Sequence, residues 1–400
     1  MMKTEIITNT MDRAAEILKS GGLVAVPTET VYGLAGNGLN ENAVKNIYEV
    51  KGRPAVKPLS LMVPDSGAMD KYCKNVPQQA KFLAERFWPG PLTIVLESRE
   101  IVPEIVRAGG RTVGLRCPDH PLTLELLECV GIPLAAPSAN PSGEPSPKDA
   151  EKVRDYFDGK IEGIIDGGVC GIGKESTIID MSAAPYRILR LGALSEDEIA
   201  DALAENMTVV GVTGGTGSGK TSALRLLEER GALVLDCDEV YHGLLTTNAA
   251  MLDELKESFP AAFAGGAFDR KALGRLVFQN AELLEKLNEI THKYVKCELG
   301  RLLRDHAMRG GTLAAIDAIE LFSSGADKLC DVTLAVVADV EKRVERIMRR
   351  DGISRAYALS RIRAQKSDEY FRERCTRTIE NNGTEAELRL ACNKIFNEVL

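Results

Sequence analysis

The sequence predicts an α/β protein of two domains, residues 1–205 and 207–400, from three observations. Short runs rich in Val, Ile and Leu alternate with stretches of helical apolar spacing along the chain, the pattern of strands packed under helices. A glycine-rich loop, Gly214-x-x-x-x-Gly219-Lys220-Thr221, follows the apolar Val209, Val210 and Val212 and precedes a helical stretch over 222–230. That loop begins near the middle of 400 residues, leaving a domain-sized stretch in front of it.

With 44% hydrophobic and 27% charged residues, the chain has the composition of an ordinary globular protein rather than a disordered or fibrous one. No apolar run approaches the length of a membrane span, and Met1–Ile7, with one Lys and no long apolar core, does not predict a secretory signal. The 9 cysteines are scattered without a C-x-x-C pair, which predicts free thiols in a reducing cytoplasm and no structural zinc. A net charge of −8 argues against a surface that binds nucleic acid throughout and leaves a local basic patch open.

In the first domain, Ala14–Lys19 reads as a helix end stopped by Gly21 and Gly22, and Leu23–Val26 as a strand. The polar cluster Pro27–Leu34 at that strand's end fits either a site or a capped turn. Ala43–Val50 is helical and runs into Lys51, Arg53 and Lys57, cations held on an irregular backbone by Gly52, Pro54 and Pro58. Such a loop suits a polyphosphate rim, and it equally suits a solvated surface. Trp88 reads as core, and Thr112–Arg116 as a strand with Thr112, Gly114 and Arg116 on one face. His120 is the only His before residue 242, so no Ser-His-Asp or Cys-His arrangement can be built here.

Ser195–Ala204 reads as a helix, and Glu205–Asn206 as the linker to the second domain. There, glycines of the 214–221 loop turn amides toward a phosphate, Lys220 brings a mobile positive charge, and the Thr221 hydroxyl suits Mg²⁺. Asp236 and Asp238 follow the strand Ala232–Leu235, placed for Mg²⁺ and for accepting a proton, with a surface acidic turn as the alternative. Val332–Val337 is another strand. The helix after it has Val340, Val344 and Ile347 as its apolar stripe, leaving Arg343, Arg346 and Arg350 largely off it. With Arg361, Arg363 and Lys366 it fits a solvated hairpin or a mobile basic lid.

Seven blocks of the first domain occur in an order that carries a resemblance: Pro27–Leu34, Lys51–Ser60, Phe87–Thr93, Thr112–Arg116, Pro137–Gly143, Glu175–Asp180 and Ile188–Gly192. They resemble the threonylcarbamoyl-adenylate synthases, the YrdC/Sua5 family, over roughly residues 10–200. The resemblance implies a twisted α/β sheet around a basic cavity, where ATP, L-threonine and bicarbonate give threonylcarbamoyl-AMP and pyrophosphate. The product would pass to a tRNA threonylcarbamoyl transferase complex, with room for a weak RNA contact. By motif position, Lys51, Arg53, Lys57, Ser138, Asn140 and Arg190 would hold ATP, with Thr112 beside them. Thr30, Arg116 and Ser176 would hold threonine, with Arg116 suited to pair bidentately with its carboxylate. Family members with an additional C-terminal domain continue differently after this half, so any closing role of that domain is absent or replaced here.

The second domain carries Thr213-Gly-Gly-x-Gly-Ser-Gly-Lys220, Asp236-x-Asp238, the Asp269–Phe278 block, Arg350-Asp-Gly-Ile-Ser354, Arg361-Ile-x-x-Gln365 and Asn381-Asn-Gly383. These resemble dephospho-CoA kinase. Implied are a parallel sheet, a helical lid, Mg²⁺ with ATP, and transfer of the γ-phosphate to the ribose 3′-hydroxyl of dephospho-CoA. Asp238 would be the base, with Asp236 supporting it or the metal, and Gly214, Gly217, Ser218, Gly219, Lys220 and Thr221 would take the phosphates. Arg350 would be a lid cation, and Asn381 and Asn382 would lie near the adenine. Two departures touch the acceptor side: the family's D-x-P-L-L-F-E reads Asp317-Ala-Ile-Glu-Leu-Phe-Ser323, and the proline after His292 is Lys293. The rival reading is an RNA-binding module fused to a kinase for another nucleotide or a small alcohol.

Overall fold

A computed structural model describes residues 3–8, 11–277 and 280–400. Met1 and Phe278, the end of the Asp269–Phe278 block, lie outside the described residues. The chain divides into two units, one of Met1–Asn206 with Met308–Gly310, the other of Met207–Ala307 with Gly311–Leu400.

The first unit contains β1 (Glu5–Ile7), β2 (Val24–Val26), β3 (Gly33–Asn37), β4 (Ser60–Met62) and β5 (Leu92–Glu97). It continues with β6 (Thr112–Arg116), β7 (Leu134–Ala135), β8 (Gly163–Ile165), β9 (Thr177–Asp180) and β10 (Arg187–Arg190). They form one mixed sheet in the order β1-β8-β2-β3-β7-β4-β6-β5-β9-β10. The helices Met11–Lys19 and Pro121–Val130 lay Ile17, Leu18, Leu126 and Leu127 against Val24, Val26 and Ile165, so β2 reads as an uninterrupted apolar run. The helix Glu196–Glu205 starts on a capping box in which Ser195 and Glu198 satisfy each other's backbone amides.

Register places the site. Arg116 ends β6 opposite Met62 of β4, while β5 runs antiparallel to β6 and parallel to β9, with Leu92 opposite Thr177. Thr93, Arg116 and Ser176 therefore converge from distant parts of the sequence.

The second unit is a five-stranded, all-parallel sheet in the order β12-β13-β11-β14-β15. Its strands are β11 (Thr208–Thr213), β12 (Leu233–Asp236), β13 (Leu313–Asp317), β14 (Val332–Val337) and β15 (Arg377–Glu380). Alternate residues bury on opposite faces: Val209, Leu235 and Ile316 meet Leu299, whereas Val210, Val212 and Leu334 meet Leu224 and Phe396. The glycine loop leaves the carboxyl end of β11, the strand from which the sheet grows in both directions, where open α/β sheets place their ligands.

The helix Val340–Asp351 corrects one expectation. Val344 and Ile347 are buried with Ala358 and Ile362, but Val340 is 45% exposed and Arg343 only 2%. The reason lies elsewhere in the chain. A Cβ at Gly215 would lie 2.0 Å from Arg343 Nη2, so the missing side chain is what lets a guanidinium lie under the loop.

Candidate active sites

In the first unit a cavity of about 150 Å³ is lined by Arg53, Ser60, Thr93, Arg116, Ser138, Glu175, Ser176 and Arg190 among others. Arg116 is its most tightly held cation. Nη2 donates to Glu29 Oε1 (2.7 Å) and Thr30 Oγ1 (2.8 Å), and Nε donates to the Gly90 carbonyl (3.2 Å). The Glu29 and Arg116 side chains are both nearly buried, so their ion pair is weakly screened. Pro27–Leu34 takes the form of the capped turn. Thr28 closes the turn by accepting from the Thr30 and Val31 amides, and the turn presents Glu29 and Thr30 to Arg116.

This arrangement revises the bidentate pairing expected for Arg116. Its Nε and Nη2 protons are already committed within the protein, which leaves Nη1 for a ligand. Glu29, which sequence reasoning noted only as part of the Pro27–Leu34 cluster, is the residue that orients it.

Ser176 Oγ lies 2.9 Å from Thr93 Oγ1, and Arg190 reaches back to Ser176 through its carbonyl (2.8 and 3.1 Å) and its hydroxyl (3.2 Å). Glu175 stands beside them, its carboxyl held below the usual range chiefly by the hydrogen bond from Ser146. Arg53 donates to the carbonyls of Lys57 and Pro58, which folds its own loop around the cavity edge. Lys51 is different: 3% exposed, its ammonium is clamped between the Ser138 and Asn140 carbonyls. Burial, then the neighbouring Arg53, pulls its pKa down to about 7. Asn140 donates to Pro141 and Glu144, and its Oδ1 is buried without a partner.

Of the residues assigned by motif, Arg53, Ser138, Arg190, Arg116 and Ser176 line the cavity. Lys51, Lys57, Thr112, Asn140 and Thr30 do not. Lys57 is exposed and Thr112 opens β6 at the end away from Arg116, whereas Lys51, Asn140 and Thr30 back the residues that do line it.

Gly192 fixes the approach of β10's end to this site. A Cβ there would lie 2.2 Å from the Glu175 oxygen and 2.4 Å from the Ser176 carbonyl carbon. Gly192→Ala is therefore expected to destabilise the first unit by about 1–3 kcal/mol, because backbone rather than a flexible tip must move. Trp88, the only tryptophan, belongs to this unit, so its fluorescence in a urea titration reads that transition.

In the second unit a cavity of about 280 Å³ is lined by Gly215, Thr216, Gly217, Gly219, Lys220, Thr221, Asp317, Ile319, Arg346 and Arg350. Lys220 Nζ is 3.5 Å from Asp317 Oδ1 and donates to the Gly214 carbonyl at 3.3 Å. Burial pushes the Asp317 carboxyl above its ordinary range, opposed by Lys220. The loop is braced from outside. Arg343 Nε donates to the Thr216 carbonyl (2.9 Å) and Nη1 to Asp368 (3.0 Å), while Gln365 accepts from the Thr216 amide (2.7 Å). Arg346 donates to Asn381, and Asn381 Nδ2 donates to the Ser218 carbonyl (2.7 Å).

Asp236 caps the helix Cys237–Thr247, its Oδ1 accepting from the amides of Asp238 (2.7 Å) and Glu239 (3.2 Å). Asp317, opposite it on the next strand, is the carboxylate that lines the loop's cavity. Asp238 opens instead onto a second cavity, of about 430 Å³, with Tyr241, His292, Glu320 and Gln365. Ile319 borders both. Arg350 lines the first and pairs with Asp351 at 2.6 Å. Asn382 bonds Asp339 and lines neither cavity. Sequence reasoning assigned no role to Asp317 or Gln365, and read Arg343 only as one of the cations of a solvated hairpin or basic lid. Gln365 stood inside a block that carried the resemblance, and Asp317 opened the block noted as a departure from it.

The family model described as "Telomere recombination" matches residues 16–192, and that described as "Dephospho-CoA kinase" matches residues 208–387. Over 192 residues the chain is 50% identical to the threonylcarbamoyl-AMP synthase of Pyrococcus abyssi, covering 48% of this chain and 56% of that protein. It is 37% identical over 185 residues to the corresponding synthase-family protein of Methanocaldococcus jannaschii, covering 46% of this chain and 86% of the other. Its second half is 36% identical over 197 residues to the dephospho-CoA kinase of Thermus thermophilus, covering 49% of this chain and 94% of that one. The chain spans about half the length of the Pyrococcus, Bacillus and Schizosaccharomyces synthases it matches.

Proposed function

We propose, for a chain whose N-terminal half belongs to the threonylcarbamoyl-AMP synthase family and whose C-terminal half belongs to the dephospho-CoA kinase family, two ATP-dependent activities on one polypeptide. The observation that carries the reading is that Arg53, Arg116 and Arg190, from three separate blocks, line one cavity in the first unit, and that Lys220 and Arg350, from two blocks, line one cavity in the second.

In the first unit, L-threonine, bicarbonate and ATP give threonylcarbamoyl-AMP and pyrophosphate. Threonine's amine and bicarbonate form a carbamate with loss of water. A carbamate oxygen then attacks the α-phosphorus, and the bond to the pyrophosphate oxygen breaks. Arg53 and Arg190 neutralise the phosphates, Arg116 Nη1 and Ser176 hold threonine, and Glu29 with Thr30 keeps Arg116 aimed. Lys51 acts at one remove by fixing the Ser138–Asn140 backbone. Transfer of the product to a tRNA threonylcarbamoyl transferase complex belongs to the same reading, and a net charge of −8 keeps any RNA contact local.

In the second unit, the ribose 3′-hydroxyl of dephospho-CoA gives its proton to Asp238 as its oxygen takes the γ-phosphoryl group from ATP, releasing ADP. Lys220 and the loop amides hold the phosphates, and Arg346 and Arg350 lie on the same wall. The residues suit Mg²⁺: Asp317 Oδ1 is buried with no hydrogen bond, only the 3.5 Å ion pair to Lys220, and the Thr221 hydroxyl lines the same cavity. When bound there with ATP, the ion supplies charge neutralisation at the β- and γ-phosphates. The helical hairpin Val340–Arg363 serves as the lid.

A cytoplasmic setting is supported by 9 free cysteines, 4 of them buried. Among the described residues no helix is long and apolar enough to cross a membrane.

Product analysis of the intact chain tests both halves. ATP with threonine and bicarbonate is expected to give pyrophosphate and an adenylate, and ATP with dephospho-CoA to give ADP and CoA. Failure of pyrophosphate to depend on threonine defeats the first half. Turnover of a nucleoside monophosphate without turnover of dephospho-CoA defeats the second.

A further inference from the structure

The two cavities of the second unit carry opposite charge. The loop side has Lys220, Arg346 and Arg350, whereas among the described residues lining the Asp238 side there is no Lys or Arg. That side instead offers two carboxylates, Asp238 and Glu320, beside His292, Tyr241 and Ile319. Burial holds the His292 imidazole below its ordinary pKa, and the charge of Glu320 opposes that shift in part.

Glu320 also marks a departure from the block it belongs to. In D-x-P-L-L-F-E the carboxylate closes the block, at the position of Ser323, and a leucine stands at the position of Glu320. The Ser323 hydroxyl here donates to Glu320 Oε2, so the carboxylate has moved three residues along the turn and is held on the cavity wall.

We propose that Glu320 is a specificity-determining residue of the acceptor cavity: with Asp238 it favours an acceptor ribose bearing a free 3′-hydroxyl and repels one already carrying a 3′-phosphate dianion. A hydroxyl donates to a carboxylate, whereas a phosphate placed beside two carboxylates meets like charge that no Lys or Arg among the described lining residues of that cavity offsets. The product would thereby be expelled and phosphorylated look-alikes refused. The inference rests on the reading of this unit as a dephospho-CoA kinase.

The test compares inhibition by CoA, measured against dephospho-CoA at saturating ATP, in the full chain and in Glu320→Gln, Glu320→Leu and Glu320→Asp. The ratio of the CoA inhibition constant to the dephospho-CoA KM is expected to fall on the order of five- to tenfold in the Gln and Leu variants. The Asp variant should retain the wild-type ratio within about twofold, and added salt should narrow the wild-type ratio because Glu320 is exposed. An unchanged ratio in both Gln and Leu variants overturns the proposal. If the chain does not turn over dephospho-CoA at all, the kinase reading itself fails. Calorimetric binding of CoA and of dephospho-CoA in the presence of ADP then decides the inference separately: selective tightening of CoA in Glu320→Gln supports it, and equal affinities overturn it.

Discussion

Asp238→Asn is expected to lower the kcat of dephospho-CoA-dependent ADP formation by about 10²–10⁴-fold, the usual contribution of a positioned proton acceptor. The substitution keeps the shape of the side chain and removes only its capacity to take a proton. Folding should survive it, because Asp238 is exposed and the bond it makes to the Asp236 cap comes from its backbone amide. Threonine-dependent pyrophosphate release should stay at the wild-type rate in the same preparation. Asp236→Ala provides the contrast: loss of a cap costs about 1 kcal/mol of stability, visible as a lower melting temperature. Were Asp238→Asn to retain kcat within about threefold, proton acceptance would move to another group, with Asp317 the carboxylate that lines the loop side.

The second large effect concerns Arg53. Arg53→Ala is expected to reduce threonine-dependent pyrophosphate formation by about 10²–10³-fold, the range seen when one preorganised stabiliser of developing charge is lost. Arg53→Lys should recover part of this, since the charge returns without the fork that grips the Lys57 and Pro58 carbonyls. Lys51→Met should behave differently. Its ammonium is enclosed by the Ser138 and Asn140 carbonyls, so removing it takes a donor from the buried Asn140 carbonyl and leaves the Ser138 carbonyl with the Asn140 amide, lowering the stability of the first unit along with its activity. Equal melting temperatures for Lys51→Met and Arg53→Ala would contradict the distinction drawn between cavity wall and support.

The features legible in the sequence were those written in neighbouring residues. The glycine loop between strand and helix, the strand at Val332–Val337 and the Ser195 cap all follow from local spacing and chemistry. What escaped depends on contacts across the sheets. Asp317 meets Lys220 only because β13 lies beside β11, and no window of sequence contains both residues. Glu29 acquires its role from Arg116, 87 residues away. Helical periodicity set Arg343 largely off the buried stripe because it counts apolar spacing and has no measure of the room left by Gly215. Motif position named Lys51, Asn140 and Thr30 as ligand contacts, whereas each spends its polar atoms largely on neighbouring residues.

The bracing of the 214–221 loop also sets an order of events during synthesis. Its partners arrive late: the Arg343 guanidinium is 127 residues downstream of Thr216, Gln365 is 149, and Asn381 is 163 beyond Ser218. At ribosomal speeds of about 5–20 residues per second, the glycines wait on the order of ten seconds or more before anything holds them in a nucleotide-ready shape. For most of that interval, until β13 and then β14 are translated, the valine-rich β11 has neither of its neighbours and is a sticky ribbon in need of shielding. Nucleotide cannot rescue this half while it is being made, so a nascent-chain holdase would protect its yield where added ATP would not.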